Sequence, residues 1–438
     1  MGWVPQTGAT VTDASGTHFV LADQIGEGGQ GVVFATQAEG AAVKISTARD
    51  ASGRREVLER QIADVARMPL ADLPVAAPRY PLTGDVVGYT MTMLTGMTSL
   101  ASLTLELGQP FDENWYVSTG GLRKRLLAVE MLADVIAALH ARGLVYCDLS
   151  ANNVLVSAAP DRGRLFLIDL DNLRPLDEPP RRIFTPHYAA PEQGTHGATQ
   201  ASDLFSLAVV AFSVLSAANP FYGELLDSQR PEAYQDGPFA AAAPWIDDPD
   251  DDRNRWPHAL PRSLCVSPLL QRVFADTFTA GRFEPEHRAP AAHLAVAARR
   301  ARYAVVECAG CGWQSYASRR ECPSCGRLVA GTYLRLYVDE GSRTRPHRLC
   351  PLVALSEGTH SHEVSAAALG LIEGPSVVGI TVSVHGDDVT VGLEHDDLEF
   401  QGSERGGRSR LLPAGSTLTL SRGARCPLIL AVSPGCDS

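Results

Sequence analysis

The stretch Val145-Tyr146-Cys147-Asp148-Leu149-Ser150-Ala151-Asn152-Asn153-Val154-Leu155-Val156 decides how this chain is read. An apolar lead-in precedes an acid, four residues pass before Asn153, and a β-branched apolar run follows. A second acid, Asp169, closes another apolar strand, Leu165-Phe166-Leu167-Ile168. Brought together by such strands, Asp148, Asn153 and Asp169 offer oxygens to a divalent cation and a carboxylate to a hydroxyl proton.

Working outward, Gly26-Glu27-Gly28-Gly29-Gln30-Gly31 lies between two strand-like runs, Val20–Ile25 and Val32–Phe34. Glycines at 26, 28 and 31 let backbone N–H groups approach phosphate oxygens without Cβ obstruction. The motif leads into a strand, which disfavours a dinucleotide fold, where it would open a helix. Thirteen residues past Gly31 stands Lys44, in Ala41-Ala42-Val43-Lys44-Ile45. The chain has 38 basic residues, yet Lys occurs only at Lys44 and Lys124, so a lysine retained on an apolar strand points to a task. Arg54 to Met68 has helical periodicity and carries Glu56 and Glu59, three apart, which spacing alone does not separate. Glu59 is favoured as the acid facing Lys44, because Ile62 and Val65 give it an apolar flank. Gly88–Leu94 reads as a strand running into a hinge at Met93, and Leu122–Ala141 as a long helix closed by Gly143.

Residues from about 18 to 300 resemble a bacterial protein kinase of the eukaryotic type. The resemblance is carried in order by Gly26-x-Gly28-x-x-Gly31, Val43-Lys44, Asp148-x-x-x-x-Asn153, Asp169, Ala190-Pro191-Glu192, Asp203 and Arg288. It implies ATP and Mg2+: the glycine flap and Lys44 hold phosphates, and Met93 marks the hinge where adenine meets backbone. It further implies that Asp148 orients or deprotonates the acceptor hydroxyl while Asn153 and Asp169 hold magnesium. Glu192 and Arg288 would pair beneath the activation segment, and Asp203 would brace the catalytic loop.

Three positions depart from the family pattern. Tyr146-Cys147 replaces the usual His-Arg, so no arginine there awaits an activation-loop phosphate and control by loop phosphorylation is disfavoured. Ser150 stands where Ser/Thr kinases carry a lysine for the γ-phosphate, removing one transition-state contact. Asp169-Leu170-Asp171 replaces Asp-Phe-Gly, and Asp171 is expected to face solvent. Thr185, the one Ser or Thr between Asp169 and Glu192, is expected to contact Asp148. The Pro- and Asp-rich stretch from 219 to about Pro261 reads as a solvated surface insert.

The 438 residues, 45% of them apolar, allow several cores, and the net charge of −12 argues against a nucleic-acid footprint. No apolar run is long enough to span a bilayer, and the first residues lack a charged n-region and apolar h-region. The expected location is the cytoplasm, with no membrane partner. Of nine cysteines, four form Cys308-x-x-Cys311, ten residues, Cys322-x-x-Cys325, each pair followed by Gly. This is the ligand spacing of a four-thiolate, closed and hence structural Zn2+ site, and it resembles a zinc ribbon with Trp313 and Tyr316 packed over it. From about Gly331 alternating strand patterns follow, at 333–338, 377–384, 389–391 and 416–420. Their closing half resembles forkhead-associated domains, which implies a phosphopeptide ligand. The basic loop 405–410 reads as solvated.

The expected fold class is therefore α+β: a bilobal protein-kinase fold (N-lobe 1–95, C-lobe 96–303), a four-Cys zinc ribbon (304–328) and a small all-β sandwich (329–438). The expected activity is ATP- and Mg2+-dependent phosphoryl transfer to Ser/Thr of a partner protein. Kinase–zinc-ribbon fusions resemble those of bacterial stress-response clusters, which implies a substrate encoded nearby. The alternatives are a pseudokinase scaffold, motivated by Cys147, Ser150 and Asp171, and a small-molecule phosphotransferase, against which Ala190-Pro191-Glu192 speaks.

Overall fold

The computed structural model describes residues 6–28, 31–46, 52–159, 163–228, 237–308, 310–316, 318–319 and 321–327, and beyond 331 a set of strand segments. The chain divides into two compact units, residues 1–120 with 124–298 and residues 121–123 with 299–438.

In the first unit an antiparallel six-stranded sheet runs in the order β1-β2-β3-β4-β6-β5. Its strands are β1 (Thr10–Thr12), β2 (His18–Gly28), β3 (Gly31–Thr36), β4 (Ala41–Ser46), β5 (Tyr80–Pro81) and β6 (Gly88–Thr92). Val11, Phe19, Leu21, Val32, Phe34, Val43, Ile45 and Leu82 form its core. Ala42, Val43, Lys44 and Ile45 are all buried, so β4 is covered on both faces and its lysine shares an apolar strand. Gly28 pairs with Gly31 at the hairpin end, and residues 29–30 lie outside the described residues. A Cβ on Gly31 would run into the Ile45 carbonyl oxygen. Helix α1 (Ser52–Arg67) follows, burying Ile62 and Val65.

The rest of this unit is mainly helical. After β7 (Met97–Ser99) and α2 (Glu113–Ser118), helix α3 (Gly121–Ala141) buries Leu122, Leu126, Val129, Leu132, Ile136 and Leu139 at three- and four-residue intervals. It ends with Gly143 at φ +69°, a left-handed turn suited to glycine. Strands β8 (Leu144–Val145), β9 (Val154–Ser157), β10 (Leu165–Leu167) and β11 (Arg174–Pro175) follow; β10-β9-β7 and β11-β8 form two small sheets. After the short α4 (Gln193–His196), helix α5 (Gln200–Ser216) starts from a Thr199/Ser202 capping box and is buried almost all round. A helix apolar on every side belongs in a core, and Phe205 and Phe212 pack there against Phe221, Phe274 and Phe278.

The 219–261 stretch departs from the expected solvated insert. Phe221, Phe239, Trp245, Ile246 and Asn254 are buried, and Asp247 pairs with Arg262 at 2.7 Å. Its aromatic residues fill the space around α5, which outweighs the run of acids, while 229–236 lie outside the described residues.

In the second unit β12 (Val305–Glu307) and β13 (Gln314–Tyr316) form a hairpin that buries Trp313 and Tyr316. Beyond it, Thr332–Val338 pairs with Leu428–Pro434, which pairs with Thr417–Ser421, in one antiparallel sheet. Gly358–Ser365, Val377–His385, Asp388–Leu393 and Ser409–Leu411 make another. Residues 401–408, most of the basic loop, lie outside the described residues. Among the described residues no helix is long and apolar enough to cross a membrane.

Candidate active site

The loop between β8 and β9 is tied down from three sides. Asp203, in the first turn of α5 and 1% exposed, accepts the N–H of Tyr146 at 2.7 Å and of Cys147 at 2.9 Å. His140 Nε2 lies 3.1 Å from the same carboxylate. These bonds hold Cys147 at φ +79°, an uncommon conformation for a residue with a side chain. Tyr146, buried where the family has histidine, donates its hydroxyl to the Ile168 carbonyl at 2.5 Å, linking this loop to the strand before Asp169. Gln193 donates to the Cys147 carbonyl at 2.7 Å from below.

Asp148 therefore emerges from a fixed loop, half-buried, with Thr185 Oγ1 donating to its Oδ1 at 2.8 Å as expected. Burial pushes its carboxyl above the ordinary range and the charge of Asp169 adds to this, while the Thr185 bond opposes it. Asn153 donates its Nδ2 to the Asp148 carbonyl at 2.9 Å, which turns its Oδ1 away as an available acceptor. Asp169 adopts the left-handed conformation at φ +59°.

Lys44 spans the gap from β4. Its ammonium makes ion pairs with Asp169 and, at 2.6 Å, with Asp171 Oδ2. Burial alone would lower its affinity for a proton, but Asp171 and Asp169 outweigh this and hold it above its ordinary value. Two expectations change here. Asp171 is 3% exposed rather than solvated, because the Leu170–Asn172 turn buries it and Lys44 offers it a counter-charge. The ion pairs of Lys44 go to these aspartates and not to Glu59, which is half-buried on α1 with contacts of its own; Glu56 is exposed.

At the hinge, the N–H of Met93 donates to the Gly40 carbonyl at 3.0 Å. Gly28 and Gly31 face each other at the hairpin end, and Gly26 lies opposite Val33.

The donor set suits a divalent cation. Asp169 carboxylate oxygens and Asn153 Oδ1 are hard oxygen ligands of the kind Mg2+ takes, and Asp169 is partly open to solvent at 26% exposure. Ser150, where the family's lysine stands, is buried and brings no cation. Sequence reading also missed Arg174, 1% exposed, which donates to the carbonyls of Pro175, Glu178 and Ala198 and so ties the start of the activation segment to the chain that follows it. Glu192 and Arg288 form the expected pair, at 2.7 and 2.9 Å.

In the second unit Cys308, Cys311, Cys322 and Cys325 have sulfurs within 4.8 Å of one another, with Sγ···Sγ of 3.6 Å for Cys308–Cys325 and 3.5 Å for Cys311–Cys322. Thiolates at Zn–S of about 2.3 Å around a tetrahedral ion stand about 3.8 Å apart. The Gly310 N–H donates to Cys308 Sγ at 3.4 Å, and this bond leads in drawing that thiol down to about 7. The four residues fit zinc.

Residues 102–268 match the model of the protein kinase domain. The chain is 30% identical over 155 residues to the serine/threonine-protein kinase PknA of Mycobacterium tuberculosis, covering 33% of this chain and 35% of that protein. It is 30% identical over 236 residues to the DNA damage-responsive serine/threonine-protein kinase RqkA of Deinococcus radiodurans, 50% of this chain and 32% of that one. With the serine/threonine-protein kinase PknD of Chlamydia pneumoniae it shares 24% identity over 262 residues, 51% and 27% respectively. The chain thus spans about a third of the length of the curated relatives it matches. These matches support a bacterial Ser/Thr protein kinase domain with a β-sheet N-lobe and a helical C-lobe.

Proposed function

We propose that the protein is a cytoplasmic, ATP- and Mg2+-dependent kinase that transfers the γ-phosphoryl group to Ser or Thr of a partner protein. The observation that supports this is that three separate segments meet: Lys44 of β4 pairs with Asp169 after β10, whose neighbour Ile168 donates its N–H to the carbonyl of Asn153 in the β8–β9 loop, and Asn153 in turn bonds the backbone of Asp148. In this reading Gly26, Gly28, Gly31 and Lys44 hold the nucleotide's phosphates and the hinge around Met93 receives adenine. Mg2+ supplies charge neutralisation on the phosphates when bound, and Asn153 and Asp169 would hold it. Asp148 takes the acceptor hydroxyl's proton, with Thr185 fixing its rotamer.

Arg174 already satisfies two activation-segment carbonyls, those of Pro175 and Glu178, and ties them to Ala198 just beyond it, so the segment is ordered by a built-in cation rather than by an added phosphate. The four-cysteine module is read as a structural zinc ribbon, and the strands beyond it as a β-sandwich that engages a phosphopeptide. A role in stress signalling is supported by the similarity to a kinase named as DNA damage-responsive.

The test is autophosphorylation and transfer to a generic protein acceptor with labelled ATP and Mg2+, wild type beside Asp148→Asn. Label on the wild type alone is the expected result. No label on either, with nucleotide binding intact, would make the chain a nucleotide-binding scaffold instead.

A further inference from the structure

In the family resemblance, Lys44 is positioned by an acid on the helix that follows its strand. Here the acid within reach is elsewhere. Asp171 Oδ2 lies 2.6 Å from Lys44 Nζ, both side chains are nearly sealed from solvent at 4% and 11% exposure, and 127 residues separate them in sequence. A buried carboxylate needs a counter-charge, and Lys44 supplies it. Tyr89, directly opposite Lys44 on β6, completes the enclosure, with its ring 5.8 Å from Nζ.

Asp169 also touches Nζ, but it is the more exposed acid at 26% and is the one whose oxygens suit the cation. With Asp169 shared between lysine and metal, Asp171 is the anion left to Lys44 alone. Helix α1 packs against the Leu170–Asn172 turn, in which Leu170 is fully buried. The helix therefore buttresses the turn that carries the acid.

Resting on the kinase reading, we infer that Asp171 is the positioning residue for Lys44, holding its ammonium for the nucleotide's phosphates, the task the family assigns to a glutamate on the helix. Correct placement of Lys44 then depends on the 169–172 turn, and a displacement of α1 acts through its packing on that turn.

The experiment is calorimetric titration of the full chain with the Mg2+ complex of a non-hydrolysable ATP analogue. The variants are Asp171→Asn, Glu59→Gln, Lys44→Met and the Lys44→Met/Asp171→Asn double variant. Asp171→Asn is expected to weaken binding at least about tenfold, and Glu59→Gln less than about twofold. In the Lys44→Met background Asp171→Asn should add less than about twofold, since it acts through a lysine already gone. A purely structural role for Asp171 would give the same loss in both backgrounds and overturn the inference. So would a tenfold loss in Glu59→Gln, a variant that decides the matter even if Asp171→Asn does not fold. An Asp171→Asn loss confined to Mg2+ affinity, with metal-free nucleotide binding unchanged, would make Asp171 a metal ligand and overturn it too. Wild-type binding without phosphoryl transfer would refute the kinase reading alone. Transfer with Asp171→Asn binding as wild type would refute only the lysine assignment, and no nucleotide binding by the wild type would refute both.

Discussion

Replacing Asp203 by Asn should uncouple the catalytic loop from the helical core. The carboxylate accepts two backbone N–H bonds, from Tyr146 at 2.7 Å and Cys147 at 2.9 Å, and faces His140 Nε2 at 3.1 Å. An amide offers one oxygen and sets an NH2 group against the second N–H. One charge-assisted bond of about 1.5–3 kcal/mol is lost, and a buried donor is left unpaired, so the total cost is about 2–4 kcal/mol. The same two bonds hold Cys147 at φ +79°, a conformation that costs a residue with a Cβ about 1–2 kcal/mol. Once they weaken, Cys147 relaxes toward negative φ and carries the next residue, Asp148, with it. Scanning calorimetry should show the first unit melting about 5–10 °C lower. Phosphoryl transfer measured well below that transition should fall by about ten- to a hundredfold in kcat, because small misplacements of a reacting group are costly. A lower melting temperature with unchanged kcat would refute the transmission from Asp203 to Asp148. An unchanged melting temperature would refute the energetics.

The remaining predictions concern metal and protons. One zinc ion per chain should be found by elemental analysis, and Cys322→Ser should release it and expose Trp313, read as a red-shifted emission; metal-free protein with native Trp313 emission would contradict the ribbon reading. Asp148 must be ionised to accept a proton, and burial raises its pKa, so the acid limb of the kcat–pH profile should lie above the range of an ordinary aspartate. Thr185→Val, which removes the bond favouring the ionised form, should move that limb to still higher pH, whereas a limb that stays put would show that Asp148 is not the group titrating.

Sequence alone determined what is local or set by spacing. The glycines flanking the hairpin, the long helix before the loop, the Asp148–Asn153 interval and the paired Cys-x-x-Cys motifs each carry their geometry within a few residues. A strand's alternation, a helix's repeat or a turn's glycine leaves a local imprint. The partner of a buried charge leaves none. Lys44 meets Asp169 across 125 residues and Asp171 across 127, so no window of sequence separates a solvated acid at 171 from one enclosed beneath a lysine. Asp171 looked exposed because acids usually are; the tertiary fold reversed this by placing an ammonium beside it. The 219–261 stretch was misread for the same reason, since its run of acids is obvious in sequence while the surface waiting for Phe221, Phe239 and Trp245 exists only once α5 is in place. Arg174 and Tyr146, too, owe their tasks to carbonyls that folding brings to them. The motif residues of the site were legible in sequence, but which acid holds its lysine was decided only by the tertiary structure, because burial and charge pairing are set by the whole fold.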